Sequence, residues 1–370
     1  MKAVLLSAIP LPYHKIGSWD KRYTELILSE QNPFEYVICP EVDKNKAKSN
    51  FATYLFANRY KYEKLLKLYY KYSYYFYLKK ISSLLTQEKN LVIYIIDNVK
   101  LLNETHEFLV KKKIRNNCKI VFNSCGYSYF FSNADGINFY DKIDHLIFST
   151  YEAYQFELKR QSYISSKVSI IPNGIDSSKF CKISDDEKNS GKEKIGYKNK
   201  KVILWVSQER PKKGLHILLE AWEKSGLNND EEFVLVVIGT SQNKQEGNIH
   251  YLGKIPNNDL VIYYQCADYF FFTTLVHEGF GLSLGEAIKC GATSFVSNIA
   301  PMKEVTQNGK LAYLVDNPNI VDSWVHVLNQ IKTNKITAIP TITKELNELY
   351  DLNDWLNKIT SLVHHIKSFK

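Results

Sequence analysis

The residues best suited to do chemistry in this sequence are two glutamates on either side of a glycine-rich turn. They lie in the stretch HEGFGLSLGE, where Glu278 and Glu286 enclose Gly279, Gly281 and Gly285. A carboxylate accepts hydrogen bonds from vicinal hydroxyls, and each charge-assisted bond contributes about 1.5–3 kcal/mol. Glycines let a backbone come close to a ligand because they carry no Cβ. The stretch therefore predicts a site for a ligand with hydroxyls at two separate points.

The elements around the turn must position these two carboxylates. The apolar run YFFFTTLV (269–276) predicts a buried strand, and LSLGEAIKC (282–290) predicts a helix that stops at Gly291. Amides at the start of that helix favour an anion or sugar hydroxyls. Glu286 then lies about 6 Å further along the helix than its first residue, at 1.5 Å per residue. A ligand with a diol, a phosphate and a second diol fits this layout, as a nucleotide sugar does.

Two other interpretations of the same stretch are open on spacing alone. Glu278 and Glu286 can be a helix N-terminal charge and a solvated helix residue. The glycines nearly make the G-x-G-x-x-G of dinucleotide binding, but the third is one place late. Asn298 follows the next predicted strand, where a ribose-binding acid would be needed. The sequence therefore disfavours NAD binding.

Composition indicates a two-domain globular protein without a metal or disulfide framework. The chain has 370 residues, 45% of them hydrophobic, and no apolar run approaches the ~18 residues of a membrane span. Its six cysteines form no C-x-x-C pair, which is typical of reduced thiols in a cytoplasmic protein. The opening MKAVLLSAIPLPY predicts a strand and not a signal peptide. Residues 1–180 hold 26 Lys+Arg against 17 Asp+Glu, which points to an anionic partner for the first half.

Apolar runs alternate with helical stretches along the whole chain, six in each half. Continuous runs of this kind are typical of strands buried on both faces of a parallel sheet. We therefore expect an α/β fold with two Rossmann-like, doubly wound domains that face each other across a cleft. The predicted domains are 1–178 and 179–351. The amphipathic segment 352–370 is a helix that can pack on either domain, with Trp355, Ile359, Leu362 and Ile366 on one face. The predicted strands are 3–9, 35–39, 91–96, 119–124, 145–150, 168–172, 201–207, 233–239, 249–253, 269–274, 293–297 and 312–315.

Several motifs together resemble the retaining glycosyltransferase family 4, which has the GT-B fold. They are EGFGLSLGEAIKCG, SQERPKKGLHILLEAW and IIPNGID, and the resemblance is strong over roughly 165–320. It implies transfer of a hexosyl unit from a UDP- or GDP-sugar to a glycan or lipid-linked glycan acceptor in bacterial surface polysaccharide synthesis. It implies no cofactor and no metal, in agreement with the absence of a D-x-D motif from the sequence.

The resemblance also assigns roles to individual positions. Glu286 is expected to hold the ribose hydroxyls and Glu278 to contact the donor sugar. Arg210 and Lys213 match the basic pair that neutralises the diphosphate, although without the other motifs they are typical of a solvated loop. Fixed cations stabilise the negative charge that develops on a departing diphosphate. The other implied donor-binding residues are Gly17, Gly239, Ile255, Gly279, Phe280, Gly281 and Leu282.

The first half departs from the family pattern. Gly17 stands alone where two glycines are common, and no histidine follows the later strands, where Asp97 and Cys125 lie instead. Two alternatives therefore stay open. One is a non-catalytic GT-B subunit that binds a nucleotide sugar or a partner transferase, and the other is a phosphorylase or epimerase on the same fold.

Residues 44–80 form a basic stretch in which tyrosines are interleaved with lysines. Cationic, aromatic helices bind anionic bilayer surfaces, which suggests a peripheral protein at the inner face of the cytoplasmic membrane. The alternative is a solvated helix whose tyrosines belong partly to the core. Nucleic acid is not an expected partner, because no binding module is recognisable.

Overall fold

The chain folds into two compact units in the computed structural model, which describes residues 1–13, 19–41, 49–57, 68–69, 71–126, 139–161, 163–339 and 343–369. Unit 1 comprises Met1–Pro172 and Asn353–Lys370, and unit 2 comprises Asn173–Leu352. The first division thus falls a little before the one predicted after residue 178. No helix in the described ranges is long and apolar enough to cross a membrane.

Unit 1 is built on a seven-stranded parallel sheet with the order β3-β2-β1-β4-β5-β6-β7. The strands are β1 (Lys2–Leu6), β2 (Tyr36–Cys39), β3 (Thr53–Phe56), β4 (Leu91–Ile96), β5 (Cys118–Ser124), β6 (His145–Phe148) and β7 (Lys167–Ile170). The helices are α1 (Trp19–Leu28), α2 (Tyr75–Gln87), α3 (Val99–Lys111) and α4 (Tyr151–Gln161). All six residues of β4 are buried, as its unbroken apolar run predicts.

The tyrosines that fall late in the basic stretch belong largely to the core of unit 1. Tyr72, Tyr74 and Tyr77 are buried in the same cluster as the central strands. Leu68 and Tyr69, by contrast, are 80% and 76% exposed. Most of the lysines of the stretch lie outside the described residues. For the three buried tyrosines, the core interpretation is the correct one.

Unit 2 repeats the doubly wound plan with the order β10-β11-β9-β8-β12-β13-β14. Its neighbouring strands are parallel except for the β10–β11 pair. The strands are β8 (Lys201–Val206), β9 (Phe233–Ile238), β10 (Asn243–Glu246), β11 (Ile249–Leu252), β12 (Tyr269–Phe272), β13 (Thr293–Ser297) and β14 (Tyr313–Val315). The helices are α5 (Asp185–Lys194), α6 (Leu215–Lys224), α7 (Asn257–Cys266), α8 (Leu282–Lys289), α9 (Met302–Val305), α10 (Val321–Lys332) and α11 (Thr343–Glu348).

The last helix, α12 (Leu352–Ser368), returns to unit 1. The ring of Trp355 meets that of Tyr23 edge-on at 5.3 Å, and Lys367 donates to the Glu35 carboxylate at 2.5 Å. Its buried residues are Trp355, Leu356, Ile359, Val363 and Ile366. Three residues of the predicted stripe are buried and Leu362 is half-buried at its border, and the prediction did not include Leu356 and Val363.

The two sheets confirm the predicted α/β fold class, but within the described ranges each has seven strands where six were predicted. The sequence patterns missed β3 and β10, each of which lies at one edge of its sheet, whereas the opposite edge strands, β7 and β14, were predicted. Strand β10 has the sequence NKQE and is exposed throughout, and β3 is exposed or half-buried. Strand β10 carries no apolar run, so its hydrogen bonds to β11 are its main signature, whereas β3 has the short run YLF, which the sequence patterns did not single out.

Candidate functional site

Several of the predicted site residues lie where the strand order of unit 2 reverses direction. Strands β8 and β12 are adjacent in the sheet, with Ile203 beside Tyr269 and Leu204 beside Phe270. The chain runs from β8 to β9 on one side and from β12 to β13 on the other, so their carboxyl ends open a crevice. Ligands of open α/β sheets bind at such a switch point. The segments 207–214 and 273–281 follow these two strands, and they carry the basic residues and the glycine turn.

Backbone and threonine contacts join these two segments. The Leu275 amide donates to the Lys212 carbonyl at 2.8 Å. The Thr273 hydroxyl donates to the Lys213 carbonyl at 2.9 Å and accepts from the indole of Trp205 at 3.1 Å. The short helical turn that ends at Lys213 is therefore fixed against the end of β12.

Gly214 makes this close approach possible. It adopts φ 70°, a left-handed conformation, between the turn and α6. A Cβ added at Gly214 would overlap the carbonyl oxygen of Thr273. Only glycine therefore lets the basic segment come this near to β12.

Lys213 and Glu278 form an ion pair at the centre of the crevice. The ammonium lies 2.5 Å from Oε1 of Glu278, and the side chains are 18% and 15% exposed. The hydroxyl of Thr274 donates to the same oxygen at 2.7 Å. Both side chains are thus held in place but remain accessible to a ligand. Oε2 of Glu278 accepts no hydrogen bond from the described residues. Sequence reasoning did not single out Thr274, because a hydroxyl at a strand end is common and only the fold shows its partner.

The glycine turn leads into α8 as predicted. Gly281 has φ 82° and is the residue before α8, with Phe280 buried in an edge-on contact with Tyr350 at 4.9 Å between ring centres. Gly279 and Leu282 are half-buried. The buried ring of Phe280 therefore holds the turn against unit 2, while Gly279 and Leu282 remain partly accessible to solvent.

Glu286 lies one turn along α8, half-buried, on the side of α7. Burial, followed by the nearby negative charge of Glu286, raises the pKa of Tyr264 well above its usual value. The preceding Gly285 has a packing role, because an added Cβ would overlap the side chain of Ile175. The two carboxylates of the motif thus lie on one turn-and-helix unit, as the sequence predicts.

The remaining predicted residues of unit 2 have different environments. Gly239 ends β9 with φ 102°, and a Cβ there would overlap the carbonyl of Ser207, so glycine is required for packing. Ile255 is half-buried against the core of unit 2. Arg210 is exposed, and its guanidinium makes no ion pair with any residue that the structure describes. Of the predicted basic pair, only Lys213 is engaged with Glu278.

In unit 1 the predicted positions are only partly described. Gly17 lies outside the described residues. Asp97 follows β4 with φ 39° and accepts a hydrogen bond from the Cys125 amide at 3.2 Å. The Asn98 side chain caps α3 by accepting from the Leu101 amide at 2.8 Å. Asn98 therefore has a structural role as a helix cap, and Asp97 is a polar side chain at the end of β4 that contacts the residue following β5.

A cavity of about 470 Å³ lies at the opposite, amino end of the unit 2 strands, beside Phe233 and His250. It contains none of the predicted site residues, so the site is placed by contacts and topology and not by the cavity. No group of three or more His, Cys, Asp or Glu side chains that could hold a metal ion occurs in the described part of the chain.

Comparisons with known proteins relate the chain to glycosyltransferases. Residues 186–345, which contain the whole crevice of unit 2, match the model of the family glycosyl transferases group 1. The chain is 29% identical over 151 residues to O-antigen chain mannosyltransferase B of Escherichia coli. That alignment covers 37% of this chain and 39% of the relative, so it spans less than half of either protein.

Solved structures resemble the chain over nearly its full length. Sucrose-phosphate synthase from Thermosynechococcus elongatus has a TM-score of 0.75 at 13% identity, with 99% of each chain covered. Anabaena HepE in complex with UDP and glucose has a TM-score of 0.72 at 17% identity, covering 99% of this chain and 100% of that one. At these identities the likeness shows the fold, which is GT-B.

Proposed function

We propose that this chain is a retaining glycosyltransferase that moves a hexosyl unit from a nucleotide-diphosphate sugar to a glycan or lipid-linked glycan acceptor. The observation that carries the proposal is the Lys213–Glu278 pair at the switch point of unit 2, with Glu286 further along α8. The match of residues 186–345 to a glycosyltransferase family supports it.

The site offers the groups that such a donor requires. Glu278 Oε2 accepts a hydrogen bond from a hydroxyl of the donor sugar, and the Lys213 ammonium faces the diphosphate. The carboxylate of Glu286 accepts hydrogen bonds from the two ribose hydroxyls. The UDP complex of HepE makes UDP-sugars the first donors to test, and the mannosyltransferase relative makes mannose a sugar to include. The relative's name also supports a role in bacterial surface polysaccharide synthesis.

Charge development explains why a cation is needed at this point. When the glycosidic bond to the donor breaks, negative charge accumulates on the departing diphosphate. A fixed ammonium aimed at that charge stabilises the transition state more than the ground state. We propose that Lys213 supplies this charge and that no metal ion is required.

The test is an assay of the purified chain with UDP-glucose, GDP-mannose and related donors, followed by detection of the free nucleoside diphosphate. Turnover of one donor, unchanged by EDTA, is the expected result. Nucleotide-sugar binding without any release of nucleoside diphosphate, with or without glycan acceptors, would instead favour the non-catalytic subunit. Loss of turnover in EDTA that Mg²⁺ restores would contradict the metal-independent part.

We also propose that unit 1 contacts an anionic membrane surface through the exposed part of the basic stretch, where Leu68 and Tyr69 project into solvent. This contact would bring a lipid-linked acceptor to the enzyme. Flotation with phosphatidylglycerol vesicles at low salt is expected to carry the protein upward. Failure to float under these conditions would remove the membrane proposal and leave the transferase proposal intact.

A further inference from the structure

We infer that Thr274 is a positioning residue, which fixes the carboxylate of Glu278 in the orientation that meets the donor sugar. The inference rests on the proposed function and assigns a role to a residue outside the recognised motif. Thr274 is the second residue after the end of β12 and is 1% exposed. Its hydroxyl makes the hydrogen bond to Glu278 Oε1 at 2.7 Å.

The hydroxyl of Thr274 has one proton and three acceptors within reach. They are Glu278 Oε1 at 2.7 Å, the Val276 carbonyl at 3.2 Å and the Lys212 carbonyl at 3.4 Å. The carboxylate is the nearest acceptor and the charged one, and hydrogen bonds to charged groups are about twice as strong as neutral ones. The proton therefore goes to Glu278, in a place that solvent scarcely reaches.

The two donors to Glu278 differ in how firmly they are held. Lys213 has a long, flexible side chain, and a bound diphosphate would compete for its ammonium. Thr274 is β-branched, which restricts its side-chain torsion, and it is buried. Its backbone is fixed as well, because the next residue, Leu275, donates to Lys212 at 2.8 Å. Thr274 is thus the donor that keeps Glu278 in place when the diphosphate competes for the Lys213 ammonium.

The arrangement leaves one carboxylate oxygen for the ligand. Lys213 and Thr274 both bond to Oε1. Oε2 accepts no hydrogen bond in the described part of the chain. An oxygen held in a fixed direction can accept a sugar hydroxyl without losing further side-chain freedom, and this preorganisation increases binding and rate.

The experiment compares Thr274→Val, which keeps the shape and removes the hydroxyl, with Thr274→Ser, which keeps the hydroxyl. Binding of UDP, GDP, UDP-glucose and GDP-mannose is measured by calorimetry, and turnover is measured with the donor that the wild type uses. UDP or GDP lacks the sugar, so its affinity should stay within about 2-fold in both variants. The kcat/KM of Thr274→Val should fall by about 10-fold or more, as loss of one charge-assisted bond implies. Thr274→Ser should stay within about 3-fold of the wild type.

Three results would overturn the inference. Equal losses in both variants would mean that Thr274 acts through packing, and unchanged kcat/KM in Thr274→Val would mean that it has no role. A parallel loss of UDP or GDP affinity would mean a general disturbance of the site. Failure of the wild type to bind any nucleotide sugar would instead overturn the proposed function, and the inference with it.

Discussion

The carboxylate of Glu278 is held on one oxygen by Thr274 and Lys213, and its other oxygen accepts no hydrogen bond from the residues that the structure describes. An ammonium group has three N–H donors. One of them meets Glu278 at 2.5 Å, which leaves two for an anionic ligand. Lys212, the preceding residue, is exposed and makes no ion pair with the residues described. Two adjacent lysines thus have different surroundings, and only Lys213 lies at the crevice.

Replacement of each lysine by methionine separates these two environments. Lys213→Met removes the cation that faces the diphosphate, and we expect kcat to fall by about 100-fold or more. Lys212→Met removes an exposed charge of little energetic weight, so its kcat should stay within about 3-fold. Steady-state kinetics with a saturating donor gives the comparison. Similar kcat values in the two variants would contradict the role assigned to Lys213.

At the scale of elements, the site depends on how closely the segment after β8 approaches the end of β12. Thr273 joins the two through its bonds to Lys213 and Trp205. Gly214 allows the approach because it has no side chain and a left-handed backbone. A shift of this segment would move Lys213 away from Glu278, so stability and activity are coupled here.

Two glycine-to-alanine substitutions test that coupling. Gly196 and Gly214 both have positive φ, but an added Cβ at Gly196 meets no atom within 4 Å. Gly196→Ala should cost about 1–2 kcal/mol of unfolding free energy from backbone strain alone. Gly214→Ala should cost a further ~1–3 kcal/mol from overpacking. Urea unfolding measures both changes.

Activity distinguishes the same two variants. Gly196→Ala should keep the wild-type kcat below its unfolding transition, because Gly196 is remote from the crevice. Gly214→Ala should lose activity under conditions where it remains folded. Full activity in folded Gly214→Ala would show that the close approach does not position Lys213.

At the scale of the whole molecule, the fold class was predictable because buried parallel strands appear as continuous apolar runs. Strand β9, FVLVVI, is buried throughout, and its sequence alone predicts this. Strand β10 was not predictable in the same way, since its four residues are polar and exposed. The buried stripe of α12 was predicted except at Leu356 and Val363, because a helical period leaves a one-residue ambiguity at the border of a face.

The candidate site was predictable to the level of motif and not of contact. The spacing of Glu278, Glu286 and the glycines indicated a strand, a turn and a helix, and the structure has all three. The bond from Thr274 and the separate environments of Arg210 and Lys213 depend on how distant segments meet. Contacts between distant segments follow from the order of strands in the sheet, which local sequence patterns do not specify.

The measurement that tests the central claim most directly is calorimetric titration of UDP- and GDP-sugars into the wild type and Glu286→Gln. Glu220→Gln is the matched control, since it removes the same charge from an exposed pair with Lys224 on α6. The wild type and the control should bind the same donor equally well. Glu286→Gln should bind it at least ~10-fold more weakly, because the hydrogen bonds to the ribose lose their charged acceptor. Equal donor affinity in all three proteins, or no donor binding by folded wild type, would contradict the account.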